Sequence, residues 1–490
     1  MIHLALRLFA VISATFLTAC AVVPTPFADA DARKIFEADR DAAAKGIPPI
    51  VGPISLEEAI ARALKYNLEH RTRLLQQALA SDQLEAGKFD MLPRLMANAG
   101  YATRDNDATR KSLNPLTGTV SDSGFISQDR SHITADAGLL WNVLDFGASY
   151  YNSKQNADQL LIATERRRKA MHTLIQSVRT SYWRALAAQK LSGQLRATIA
   201  QGETALAAAK KVSSERVKNP IESLRFQRLL LENLRLMEGV ERELTSARIE
   251  LAQLIGSPPG AQLLLADLDM IPPPLAMSVN AMEELALMKN ADLRESLYTV
   301  RMAAAETRKA MIKLLPGLTF DYAYKYDNDS YLVNQHWRDA GYRVSFNLFN
   351  ILSGPSRMQA AERNEKVEQS RRMALQMSVL AQVHLAGHQY ADAQRQYERA
   401  DAIFLVDREL ADITKSQEQS RVGSELDKIS SDVTYILSSV RRYQAIAKVH
   451  EAASRLQATL GLEPDLPSLD DTDLKTLQTI IKKTLVRSSW

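Results

Sequence analysis

Leu318-Thr319-Phe320-Asp321-Tyr322-Ala323-Tyr324-Lys325-Tyr326-Asp327 is the stretch from which the fold can be read. Successive side chains of an extended strand point to opposite faces. Leu318, Phe320, Tyr322, Tyr324 and Tyr326 therefore share one face, and Thr319, Asp321, Lys325 and Asp327 share the other. A strand that is aromatic on one side and charged on the other suits a wall between lipid and water. Further on, Tyr342, Val344, Phe346 and Leu348 alternate with Gly341, Arg343, Ser345 and Asn347, a second strand of the same kind. The polar run 328–338 between them reads as a hairpin loop.

The pattern has an earlier copy. Ile133, Ala135, Ala137, Leu139 and Trp141 alternate with Thr134, Asp136, Gly138 and Asn142, after a less regular strand at 95–104 and a polar loop at 106–130. Both hairpins belong to a duplicated unit. Asn67 corresponds to Asn290, and Leu92-Pro93 to Leu315-Pro316, at an offset of 223. Trp141-Asn142 corresponds to Phe346-Asn347, Arg216-Val217 to Arg421-Val422, and Leu254-Ile255-Gly256 to Thr459-Leu460-Gly461, all at an offset of 205. Landmarks that hold their offsets mark an internal repeat, and the 18 extra residues of the first copy fall between Pro93 and Trp141.

Within each unit a helix of about thirty residues, 56–88 or 281–313, stops at a Leu-Pro, as proline dictates. After the hairpin comes a very long helical stretch, 150–216 or 355–421, which reaches roughly 100 Å if unbroken. A tight break then returns the chain through a further helix. Met237, Val240, Leu244, Ala247, Leu251 and Leu254 step along it by 3 and 4, a coiled-coil seam. Its counterpart Ala445, Val449, Ala452, Leu456 and Thr459 keeps the phase, with Arg442 in the first position.

The ends are of a different kind. Arg7 precedes a short apolar core, Leu8 to Ile12 with Phe16-Leu17, too short for a permanent membrane span. It closes on Leu17-Thr18-Ala19-Cys20, and Cys20 is the one cysteine of the chain. That tetrad resembles a bacterial lipobox, whose thiol takes a diacylglyceryl group and whose freed amine takes a further acyl chain such as palmitate. Ala21 follows, where an Asp would favour the inner membrane, so the outer membrane is the expected address. An ordinary signal peptide cut near Ala28 or Ala30 is the alternative. The expected organisation is a signal peptide at 1–19, a lipid-anchored extension at 20–53 and a first repeat at 54–256. A Pro-rich linker at 257–276, a second repeat at 277–461 and a tail at 462–490 complete it.

Composition narrows the function classes. The formal net charge of +4 comes from Lys/Arg interleaved with Asp/Glu along helices, which reads as solvated helix faces and not as a nucleic-acid surface. Gly-x-Ser-x-Gly, His-Glu-x-x-His and Walker motifs are missing, and Gly87-Lys88 is followed by Phe89. His384 and His388 stand i,i+4 with no acidic or cysteine partner expected nearby, so neither a metal site nor an enzyme is expected. Four strands per chain cannot close a barrel, and open strand edges are prohibitively costly in lipid. Strands lying in a membrane therefore demand several chains, and three would supply twelve strands around an aqueous lumen. A structural coiled-coil lipoprotein with a small soluble sheet is the rival reading.

The chain resembles the TolC family of outer-membrane efflux and secretion ducts. Ser55-Leu56-Glu57-Glu58-Ala59 with Ala63 and Asn67 carries the resemblance, as do Trp141-Asn142-Val143-Leu144-Asp145-Phe146-Gly147 and its duplicate Phe346-Asn347-Leu348-Phe349, with Gly354 displaced. Arg421-Val422-Gly423 and the helix ends at Gly256 and Gly461 complete a match over about 54–461. It implies a mainly helical fold with a small membrane β part. Three subunits would form a twelve-stranded barrel continued by an α-helical coiled-coil tunnel through the periplasm. It also implies a passive exit duct, without cofactors, partnered by a periplasmic adaptor and an inner-membrane transporter of an efflux pump or type I secretion system. By the same resemblance Val422, Gly423, Ser424 and Val217 form adaptor-contact tips, although Val217-Lys218 departs from the Val-Gly pattern and Gly423 equally suits a plain helix end. Asp432, with Asp427 and Glu425 nearby, is the candidate gate, and Ile429 occupies another commonly acidic place. A solvated helix face is the alternative for each carboxylate.

Overall fold

The computed structural model describes residues 24–214, 220–258, 260–266, 272–420, 425–462, 466 and 472–487. After helix α1 (Asp29–Ala44), a first round runs through α2 (Leu56–Tyr66), α3 (Leu68–Phe89), β1 (Arg94–Thr103), the short strands β2 (Thr109–Arg110) and β3 (Phe125–Ile126), β4 (Ser131–Asn142), α4 (Val143–Ser214) and α5 (Pro220–Leu254). A second round repeats it as α6 (Val279–Lys289), α7 (Ala291–Ile312), β5 (Gly317–Asp327), β6 (His336–Ser345), α8 (Phe349–Gln419) and α9 (Glu425–Leu460). Helix α10 (Leu474–Arg487) follows.

The single helix expected at 56–88 and at 281–313 is in each case two helices, because an asparagine breaks it. Asn67 ends α2, and its side-chain oxygen accepts from the His70 N–H to start α3; Asn290 does the same between α6 and α7 through Leu293. Asparagine suits both roles, since its amide accepts at a helix start while its NH2 remains free to donate. Ser55 and Ser278 cap α2 and α6 through Glu58 and Ala281. Beyond the return helices, Gly256 and Gly461 adopt φ of +72° and +68°. That left-handed turn lets the N–H of Ser257 reach Ala252 and that of Leu462 reach Gln457, closing each helix.

Two further asparagines turn strands into helices. The Asn142 side chain accepts from the N–H groups of Leu144 and Asp145, and that of Asn347 accepts from Phe349. The long helices consequently begin at Val143 and Phe349, earlier than the expected 150 and 355, and β6 stops at Ser345 short of Phe346 and Leu348. Pro355 lies inside α8, in its first two turns, where the missing N–H removes one rung from the ladder. With 72 and 71 residues, α4 and α8 each extend roughly 105 Å.

The four long strands form one antiparallel sheet in the order β1-β4-β5-β6. Next to it α3, α4, α7 and α8 stand side by side, and farther along α5, α4, α9 and α8 do so. Sheet and helices thus make a wall one element thick, open along β1, α3 and α5 on one side and along β6 and α8 on the other. Three apolar clusters hold it. One joins α2 to Val178, Tyr182, Trp183 and Leu186 of α4. A second joins α4 and α5 to Ile429, Val433, Ile436 and Val440 of α9. The third joins Met282 and Ala286 to Val383, Tyr390, Val449 and Leu456. The expected tail contains a helix, α10, which packs on α2 and buries Leu477 and Ile481. Among the described residues no helix is long and apolar enough to cross a membrane.

Candidate functional site

The antiparallel register sorts the sheet into two unlike faces. On one, Leu139 pairs with Leu95 and Tyr322, Trp141 with Phe320, and Phe320 with Tyr342. Tyr101, Tyr322, Tyr324, Tyr342 and Val344 all remain exposed on it. On the other face, Asp136 pairs with Asn98 and Lys325. The Asn98 amide donates to Asp136 at 2.9 Å, and Lys325 Nζ donates to Asp339 at 2.7 Å. Farther down, Asn142 donates to Thr319 at 3.2 Å. A polar ladder therefore crosses all four strands behind an aromatic surface that no other element among the described residues covers. That is the division a lipid–water wall needs.

The two hairpin loops are knotted together at the far end of the sheet. Asp129 accepts from the Ser330 N–H at 2.6 Å and from its hydroxyl at 2.8 Å, while the Asp129 N–H donates to Asp329 at 3.1 Å. Ser330 holds the Asp129 carboxyl below its ordinary range by these bonds.

At the opposite end the α8–α9 hairpin carries the candidate gate. Cys20, Val217, Val422, Gly423 and Ser424 lie outside the described residues. Glu425 opens α9, and Asp427 is exposed two residues later. Asp432 is half-buried, and that burial raises its carboxyl above the usual range, while Lys428 and Lys415 pull it back down. Two lysines of the same chain thus face this carboxylate, so it is not an unopposed negative charge. Lys428 also reaches Glu418 across the hairpin at 3.4 Å. Ile429, at the position that the resemblance makes a second candidate for an acidic residue, is a core residue, buried with Val433 and Ile436.

Several residues that sequence reasoning passed over or left unexplained acquire partners. Arg442, out of place in an apolar seam, pairs with Asp401 at 2.5 Å and covers the Phe404 ring at 5.2 Å. Arg179 is fully buried between α4 and α9, donating to Ser454 at 2.6 Å and Gln457 at 3.2 Å, and burial lowers its guanidinium to about 10. His384, expected to lack an acidic neighbour, has one: its Nε2 lies 2.7 Å from Glu283, brought in by α6. No third ligand joins them among the described residues. On the open edge of α8, Ile403, Val406, Leu410 and Ile413 are exposed at steps of 3, 4 and 3. On the open edge of α5, Ile221, Leu224 and Leu231 are exposed as well. The α8 steps have the spacing of a coiled-coil seam, and that spacing was present in the sequence.

Residues 59–257 match the family model described as "Outer membrane efflux protein". No curated protein sequence matches the chain. Among solved structures it is similar to the CmeC outer membrane channel of Campylobacter jejuni, at 12% identity and a TM-score of 0.62, covering 95% of this chain and 97% of that one. The MtrE outer membrane channel of Neisseria gonorrhoeae in its open state is similar at 16% identity and a TM-score of 0.61, covering 84% and 91%. A membrane protein from Pseudomonas aeruginosa is similar at 17% identity and a TM-score of 0.62, covering 85% and 92%. At these identities the likeness is one of fold.

Proposed function

We propose that the chain is a TolC-like outer-membrane efflux duct, three copies of which close into one passive conduit gated at its periplasmic end. Its function is that of an efflux duct, and a scaffold without a channel is not favoured. The family is one of channels, not of enzymes. Ducts of this family are in general trimers that work with an adaptor and an inner-membrane pump. For this chain the partners are proposed by chemistry and position: two further copies, a periplasmic adaptor helix, and a transporter of an efflux pump or type I secretion system.

The pair of open edges carries the trimer reading. A sheet edge left unpaired in lipid is prohibitively costly, and β1 and β6 are both unpaired on their outer sides. A head-to-tail contact that closes on itself resolves both edges at once. The α8 seam of Ile403, Val406, Leu410 and Ile413 would then meet the α5 seam of Ile221, Leu224 and Leu231 of the next copy. Twelve strands leave room for an aqueous lumen lined by the polar ladder.

Cys20 is proposed to carry the lipid, anchoring the chain to the outer membrane through an extension at 20–53. Segments 54–256 and 277–461 are read as duct repeats joined by the linker 257–276, with 1–19 removed and 462–490 as the C-terminal part. Val422, Gly423 and Ser424, with Val217, would receive the adaptor. Asp432, Asp427 and Glu425 would act at the constriction, where carboxylates repeated around a three-fold axis favour cations.

Val406→Glu with Leu410→Glu places charge in the exposed seam. The expected outcome is monomers in detergent and no conductance in planar bilayers, where the parent gives conducting trimers. A parent that is monomeric and non-conducting after delipidation would defeat the duct reading. Metabolic labelling with a palmitate analogue that persists in Cys20→Ser would defeat the anchor at Cys20.

A further inference from the structure

We infer that the first two turns of α4 and α8 lie within the acyl region of the inner leaflet, with Lys154 at the headgroups. The inference rests on the outer-membrane reading and adds where the membrane ends on this chain. It begins from a continuous file of rings. Phe320 stacks on Trp141 at 6.2 Å, both on the aromatic face of the sheet. Trp141 meets Phe146 edge to face at 6.0 Å, and Phe146 already belongs to the helix. One turn on, Tyr150 lies on the same side of α4 as Phe146, because residues four apart share a helix face. One turn farther, the Lys154 ammonium covers the Tyr150 ring at 4.6 Å. The order apolar ring, phenol, ammonium is the order of a bilayer interface, where tyrosine sits at the headgroups and a lysine stem snorkels to water.

The duplicate obeys the same rule. Leu348, Phe349, Ile351 and Leu352 are all exposed at the start of α8, followed by the exposed cation Arg357. Those residues border an open edge, where a neighbouring copy could cover them. Val143, Phe146 and Tyr150 do not, because β4 and α4 have neighbours on both sides within the chain, yet all three are exposed. The contact of Phe146 with Trp141, and the place of Tyr150 one turn on from Phe146, assign this side of α4 to the lipid side of the wall.

Nitroxide scanning tests this on the acylated full-length protein reconstituted in lipid nanodiscs, with single cysteines at Tyr322, Phe146, Ile351 and Lys154. Cys20, consumed by lipid, does not react. The expected result is a ratio of oxygen to nickel-chelate accessibility several-fold higher at 146 and 351 than at 154, and as high as at 322. A ratio at 146 and 351 as low as at 154, with 322 still in lipid, would overturn the inference and leave the duct reading intact. Labels at 146 and 351 inaccessible to both reagents would overturn it in favour of burial against another copy. A water-exposed label at 322 would instead overturn the outer-membrane reading itself.

Discussion

The side-chain amide of Asn290 donates to the carbonyl of Thr459 at 2.9 Å, and Asn67 donates to the carbonyl of Leu254 at 3.3 Å. Each bond runs from the joint between two upper helices to the end of the return helix that comes back from the tip. Gly461 and Gly256 stand two residues on, against Lys289 and Tyr66. The two repeats therefore share one device for fastening the tunnel helices to the part that rises toward the sheet.

Asn290→Ala removes a helix cap and a buried donor together, and the expected loss is about 2–3 kcal/mol. Asn67→Ala, at a longer and less buried bond, should lose about 1–2 kcal/mol. Denaturant unfolding in detergent, followed by circular dichroism, checks both. Equal and negligible losses would remove the joints from the list of structural fasteners.

Gly461→Ala should be worse than either. A Cβ there would lie 2.2 Å from the Lys289 carbonyl oxygen, at a φ of +68°, so both backbone and neighbour must move. The expected cost exceeds about 3 kcal/mol. At Gly46 φ is +81° but nothing lies within 4 Å, and alanine there should cost only the roughly 1–2 kcal/mol of the left-handed conformation. Melting temperatures of the two variants should separate clearly.

Asp432→Asn tests the gate through pH. Burial raises the folded carboxyl above its ordinary 3.8. Between 3.8 and that raised value the folded protein keeps a proton that the unfolded chain has released. Stability contributed by this group therefore falls as pH rises through the window. The asparagine variant should lack that decline and be no less stable than the parent at neutral pH, as thermal melts from acid to neutral would show. If Asp432 also holds the constriction, the variant raises leak or alters cation selectivity. Unchanged conductance in planar bilayers would exclude it from the gate.

Lys325→Gln withdraws the cation beside Asp136 and Asp339 on the polar face. These are exposed groups, so stability should change by no more than about 1 kcal/mol. Selectivity should move toward cations, read as a shift in reversal potential under a salt gradient. No shift would mean that this face does not line the conducting path.

Much of the wall was legible along the chain because its signals are local. Alternation at 318–327 and at 133–141 specifies which side chains share a face, whatever lies across from them, and the structure keeps those faces apart. The Asn142 and Asn347 landmarks likewise mark the points where strand becomes helix. The asparagine-glycine pairs were visible as repeats, but their purpose was not. Asparagine is unremarkable inside a helix pattern, and the break at Asn67 is stabilised by a carbonyl 187 residues away. The docking of α10 on α2, the burial of Arg179 against α9 and the pairing of Arg442 with Asp401 have the same origin. Helix or strand, and which face is apolar, follow from neighbours in sequence. Where the helices break and what each charge meets depend on groups that only folding brings together, because a buried donor or charge is tolerable only once its distant partner has arrived.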